Sequence, residues 1–257
     1  DIFFVISGYL ITGIIAKGLA TGTFTLRDFF TRRIKRILPA SATMVVVVAL
    51  AGALLLVPSD FERMMRAAFW NAALLANYHF SQQTGYFAEA AELQPLLHLW
   101  SLAVEEQFYL IFPGVMLLVH RFARRHMLRI ICLLGVASLA FSIWQTTHNQ
   151  TQAFYLLPAR AWELLAGAAL ALAPARGLSR VASNVLSFGG VAAISYAFLM
   201  FDTNTPFPGA WALVPVLGTV AVIAGATDQA SAVHRVLASK PLVAVGKLSY
   251  SIYLWHW

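Results

Sequence analysis

Charge is what this sequence has least of. Only 11% of its 257 residues are Asp, Glu, Lys or Arg, against roughly 25% in an ordinary soluble domain. Hydrophobic residues make up 60%, and the mean hydropathy is +0.72. Such a chain is excluded as a soluble globular domain and reads as an integral membrane protein. Cysteine occurs once, at Cys132 inside an apolar run, which excludes an internal disulfide and suits simple packing. There is no G-x-S-x-G elbow, no H-E-x-x-H, no Walker glycine loop and no C-x-x-C pair. An initiator Met and a signal-peptide n-region are also missing. Asp1 leads at once into an apolar stretch, and SIYLWHW ends inside another, so the expectation is a fragment truncated at both ends. No repeat or low-complexity linker divides residues 1–257; Gly22, Gly177 and residues 202–209 mark short loops within one membrane domain.

Long apolar runs fill the space that charge leaves. Eight hydrophobic segments can be drawn, at 2–16, 37–57, 97–119, 127–146, 156–173, 181–201, 208–226 and 242–257. None alternates polar with apolar residues, and a span must satisfy its backbone internally, so the fold class is all-α, a polytopic transmembrane helix bundle. Residues 58–96 form the longest stretch between segments. Their middle, FERMMRAAFWNAALLANYHF, reads as one helix lying in or dipping into an interface.

The few charges are sorted. With Asp1 on side one and the loops alternating, side two receives Lys17, Arg27, Arg32, Arg33, Lys35, Arg36, Arg121, Arg124, Arg125, Arg129, Arg176, Arg180, Arg235, Lys240 and Lys247. Those are fifteen of the eighteen basic residues; only Arg63, Arg66 and Arg160 fall on or near side one. The positive-inside rule makes side two cytoplasmic. The net charge of +7 is therefore topological and is no nucleic-acid footprint.

Polar groups inside the apolar segments are costly, and so are candidates for function. The central stretch is HLWSLAVEEQFYLIFP, 98–113. With His98 at zero, Ser101 lies at about 300° and Glu105 at about 340° on the helical wheel, so the three share a face. Glu106 and Gln107 point elsewhere, Glu106 toward Arg160 or a tyrosine. In FFVISGYLIT, Ser7, Gly8 and Thr12 permit close helix contact, and Tyr9 has access to a buried polar site. In RRIKRILPA, Arg32, Arg33 and Arg36 suit either lipid headgroups or the phosphates of an anionic cytosolic substrate. In LPARAWELLAG, Arg160 and Glu163 are i, i+3, and Arg160 can pair with Glu163, Glu105 or Glu106. In GKLSYSIYLWHW, Ser249, Tyr253 and His256 share a face, with His256 expected near mid-membrane. No spacing argues for a metal site. Buried Glu, His and Arg would equally serve a proton-coupled transporter or a flippase for lipid-linked sugars.

Together with the GYFAEAAELQPLL lead-in, these five motifs resemble, in order and over the whole chain, the acyltransferase 3 family of bacterial membrane O-acyltransferases. The resemblance implies a roughly ten-helix domain in the bacterial inner membrane, of which this chain carries about eight spans. It implies transfer of an acetyl or other acyl group from cytosolic acyl-CoA to hydroxyls of O-antigen lipopolysaccharide, peptidoglycan or another envelope glycan, with no bound cofactor. The lead-in is similar to the subgroup in which a periplasmic SGNH-like domain follows. Arg32, Arg33 and Arg36 match the family's donor-associated arginines. Glu105, Glu106, Arg160, Glu163, Tyr253 and His256 match its Glu and aromatic positions. The histidine usually assigned as the family's base falls upstream of Asp1, which leaves His98, Glu105, Glu106, Arg160 and Glu163 as supporting residues. Ser7, Tyr9, Ser101, Tyr253 and His256 are expected to line the acceptor channel.

Overall fold

The computed structural model describes residues 1–82, 94–174, 177–202, 204–226 and 231–257. Among these residues there are twelve α-helices and no strand. They are α1 (Ile2–Ala20), α2 (Leu26–Leu55), α3 (Pro58–Ala72), α4 (Ala76–Ser81), α5 (Leu99–Ala123), α6 (Met127–His148), α7 (Gln150–Tyr155), α8 (Leu157–Leu172), α9 (Arg180–Met200), α10 (Leu213–Ala226), α11 (Ala232–Leu237) and α12 (Lys240–Trp255). The helices α1, α2 and α9 and the run Leu99–His148, which holds α5 and α6, are long and apolar enough to cross a membrane. α10 is apolar but has 14 residues, and α8 and α12 have 16 each. Leu54 and Phe198 are each 86% exposed on the outside of the bundle. Side chains of that kind on so many helices form a surface suited to lipid.

Two boundaries differ from the sequence expectation. α2 starts at Leu26, ahead of the expected 37. The Thr25 hydroxyl accepts from the Asp28 N–H at 3.1 Å and donates to the Asp28 carboxylate at 2.7 Å, a cap that holds the earlier start. The RRIKR run is thereby part of a continuous helix. The expected single helix over FERMMRAAFWNAALLANYHF is instead two, α3 and α4, because Leu74 takes a left-handed φ of 61° between them. α4 packs against α5 and α7, and Asn77 on it is buried. Of the lead-in 85–97, residues 85–93 lie outside the described residues, as do Glu89, Glu92 and Arg176.

The centre of the bundle is the α1–α8 pair. A Cβ added at Gly8 would stand 1.8 Å from the Leu164 carbonyl oxygen, and one at Gly167 would stand 1.9 Å from that of Val5. Only glycine permits this backbone approach. α6 packs along the other flank of α8, α9 packs along α10, and α5 closes over α1. Phe4, Ile11, Phe29, Val104, Phe112, Ile131 and Leu164 form the main core from α1, α2, α5, α6 and α8.

The two ends of the bundle differ. At one end lie Asp1, Trp100, Phe154, Arg160 and Phe207. At the other, the last turns of α1, α5 and α8 meet the start of α6 around Ala20, His120, Arg124, Met127 and Leu172. α1, α5 and α8 therefore run in one direction and α6 in the other, as the alternation of loops requires.

Candidate functional site

Three polar clusters lie within or at the Asp1 end of the apolar bundle. The first is at mid-depth. Seven and eleven residues along α5 from His98, at roughly 1.5 Å per residue, Glu105 and Tyr109 lie one turn apart on one face. The Tyr109 hydroxyl donates to the Glu105 carboxylate at 2.8 Å, and its oxygen is 2.5 Å from the Ser7 hydroxyl on α1, from which it can accept. Arg33 of α2 turns inward, its guanidinium 5.9 Å from the ring centres of both Phe29 and Tyr109. Its Nε is buried without a hydrogen bond. Arg32 and Arg36 stay exposed on the outer side of the same helix. The basic run is thus split: two arginines are exposed, and one reaches toward the half-buried Glu105 carboxylate.

The second cluster surrounds Arg160. Its guanidinium pairs with Glu163 at 3.0 Å and with the Asp1 carboxylate. The rings of Phe4, Trp100, Phe154 and Phe207 lie 5.4 to 5.7 Å from its centre. Arg160 is 2% exposed and Glu163 is fully buried. Of the three partners expected for Arg160, Glu163 is the one it takes; Glu105 and Glu106 belong elsewhere. Glu106 is half-buried, within electrostatic reach of Tyr250, whose hydroxyl donates to the Ile37 carbonyl at 3.0 Å.

The third cluster caps α5. His98 is buried, and the Tyr253 hydroxyl donates to its carbonyl oxygen and lies 2.7 Å from the Ser101 hydroxyl. The His98 ring meets the rings of Tyr253 and His256, each with centroids 5.5 Å away, and of Trp257 at 6.4 Å. The Leu254 backbone is close, yet neither ring nitrogen of His98 completes a hydrogen bond. His256 stands beside His98 at the end of α12 and not at mid-depth, exposed, with Nδ1 2.6 Å from the Tyr253 carbonyl. Ser249 is half-buried and bonds back to the Gly246 carbonyl, so its hydroxyl does not join Tyr253. Tyr9 is half-buried and makes no hydrogen bond among the described residues. Among the described residues no group of three metal-ligating side chains occurs.

A family model described as an acyltransferase domain matches residues 1–257. The chain belongs to the acyltransferase 3 family. It is 34% identical over 235 residues to an uncharacterized protein of Haemophilus influenzae, covering 87% of this chain and 96% of that one. An O-acetyltransferase OatA of Staphylococcus aureus is 34% identical over 272 residues, and a peptidoglycan O-acetyltransferase OatA of Listeria monocytogenes is 33% identical over 275. Each match covers the whole of this chain but only 45% and 44% of those relatives, so the chain spans less than half of their length. No solved structure matches.

In this acyltransferase two polar contributions escaped sequence reasoning. Tyr109 is the joint of the mid-depth cluster, and its signal was its i, i+4 spacing from Glu105. Asn77 donates to Gln107 at 3.3 Å and accepts from it at 2.8 Å, and Gln107 also donates to the Leu74 carbonyl at 2.7 Å. That explains why a glutamine sits inside α5: it fixes the α3–α4 break against the bundle.

Proposed function

We propose that the chain is the membrane part of an O-acetyltransferase that moves an acetyl group from cytosolic acyl-CoA to hydroxyls of an envelope glycan, peptidoglycan first among them. Arg33 beside the Glu105–Tyr109–Ser7 cluster carries this reading. It sets a cation able to bind phosphate on the same apolar helix as the exposed Arg32 and Arg36, with its head turned toward polar groups at mid-depth. The names of the OatA relatives supply the acceptor class. The positive-inside rule puts the Arg124 end in the cytoplasm and the Arg160 end outside.

In this reading the CoA phosphates dock on Arg32, Arg33 and Arg36, where guanidinium forks match phosphate oxygens. The acceptor hydroxyl oxygen attacks the thioester carbonyl, the C–S bond breaks, and CoA departs as a thiolate that takes up a proton. The hydroxyl proton passes to a general base, the histidine that the family resemblance places upstream of Asp1. Glu105, held by Tyr109, orients groups at the reacting centre. Arg160, paired with Glu163 on its own helix, fixes α8 against α1 and α5 through Asp1, Phe4 and Trp100. His98, Ser101, Tyr253 and His256 offer rings and hydroxyls to the sugar.

The full-length protein in liposomes, given radiolabelled acetyl-CoA on the basic-loop side and a glycan acceptor on the other, is expected to label the acceptor. Solute counterflow without acetyl transfer would replace this reading by a transporter. Arg33→Gln is expected to raise the donor KM by about 10-fold or more, as loss of a charge-assisted contact implies. An unchanged donor KM removes the phosphate assignment.

A further inference from the structure

The Arg124 end of the bundle holds a cavity that none of the three clusters uses. It has about 320 Å³ and lies where the last turns of α1, α5 and α8 meet the start of α6. Its floor is apolar, from Ala16, Leu19, Leu128 and Leu172. Its rim is basic, from His120, Arg124 and Arg125. The two arginines stand on a 3-10 turn, Arg124–His126, that breaks the α5–α6 run and presents adjacent cations at the helix ends. Among the described residues neither Arg124 nor Arg125 is in an ion pair. A membrane protein with two unpaired cations over an apolar cleft offers complementary chemistry to one kind of molecule: a phosphate on a hydrocarbon chain.

We infer that this cavity is a binding site for an anionic phospholipid, with its headgroup phosphate held by Arg124 and Arg125 and its chain laid along Leu19, Leu128 and Leu172. Basic pockets between helix ends select anionic headgroups, and each Arg near the surface strengthens the attraction. The site is separate from the proposed donor arginines, which stand on α2. It lies between four of the five helices that form the main core, so an occupant ties α6 to α1 and α8.

Native mass spectrometry of the purified full-length protein, exchanged into micelles doped with phosphatidylglycerol or phosphatidylcholine, tests this. The wild type is expected to retain phosphatidylglycerol selectively. Arg124→Gln with Arg125→Gln is expected to weaken retention by about 30-fold, two cations' worth, while Arg32→Gln with Arg36→Gln leaves it unchanged. Leu128→Trp, which fills the floor and keeps every charge, is expected to displace the lipid too. Circular dichroism confirms that each variant is folded. Equal retention of both lipids, loss only in the Arg32/Arg36 variant, or full displacement by millimolar inorganic phosphate or CoA overturns the proposal, the last because it makes the cavity a site for soluble phosphate.

Discussion

Glu163→Gln is expected to destabilise the folded bundle by about 3 kcal/mol while keeping side-chain shape. The magnitude comes from what is left behind. Removing one partner of a buried pair costs roughly 3–5 kcal/mol, because the other charge stays buried without its counter-ion. Arg160 is 2% exposed and loses a carboxylate at 3.0 Å. It keeps the Asp1 carboxylate and four ring faces. Ring faces favour a desolvated cation by up to about 2 kcal/mol, so the lower end of the range applies. Unfolding in mixed micelles, followed by Trp100 and Trp162 fluorescence, measures the loss. Combining Glu163→Gln with Arg160→Met closes a thermodynamic cycle. A coupling of about 3 kcal/mol is expected, against about 0.5 kcal/mol or less for independent sites. Glu106→Gln, at a carboxylate with no ion pair among the described residues, serves as the control and should cost less than about 1 kcal/mol. A Glu163→Gln loss no larger than the control's, with an additive double variant, would refute the argument that Glu163 compensates the buried Arg160 charge.

Three further outcomes are expected. Gly167→Ala and Gly8→Ala should destabilise by about 2–3 kcal/mol or more through overpacking, since each new methyl would overlap a carbonyl oxygen. Gly13→Ala, which meets nothing within 4 Å, should be neutral or stabilising by up to about 1 kcal/mol from helix propensity; micelle unfolding reads both signs. Tyr109→Phe should lower kcat by about 10-fold with little change in donor KM, because it frees Glu105 from a hydrogen bond worth about 0.5–1.5 kcal/mol; steady-state kinetics on the full-length protein separates the two constants. In the α9–α10 loop, the side chain and N–H of Asn204, with those of Thr205, hold the Asp202 carboxyl below its usual 3.8. A depressed acid stabilises above its unfolded pKa, and that contribution is lost as pH falls through the folded value. Amide exchange at Asn204 and Thr205 should therefore be protected near neutrality and lose protection below about pH 4, and Asp202→Asn should remove the pH dependence.

What was legible in the sequence was whatever depends on local period and composition. Apolar runs gave the helices, and the Ser101–Glu105 face followed from 100° per residue. Gly8 was read correctly as a contact residue because small residues on an apolar face have few other uses. Contacts assembled from distant segments were not legible. The Arg160 cage takes Phe4 from α1, Trp100 from α5, Phe154 from α7 and Phe207 from a loop, and no spacing links them. The start of α2 was misplaced because the charged RRIKR run hid a good cap at Thr25. The α3–α4 break was missed because Leu74 carries no signal of a left-handed turn; its reason is tertiary, the Gln107 side chain bonding to its carbonyl.

The separation of the clusters itself bears on mechanism. Among the described residues no hydrogen bond joins Glu105 to Glu163, or either carboxylate to His98. Glu105 accepts from Tyr109, Glu163 faces Arg160, and His98 lies among packed rings with neither ring nitrogen hydrogen-bonded. A proton-coupled carrier needs titratable groups that exchange partners along a path. An acyltransferase needs the opposite: fixed walls around a space in which two substrates meet, since positioned reactants remove most of the entropic barrier. Close α1–α8 packing at Gly8 and Gly167, a cation clamped by carboxylates and rings, and a histidine held by its carbonyl are features of fixed walls. Such walls suit the proposed transfer, in which two substrates must be held in register.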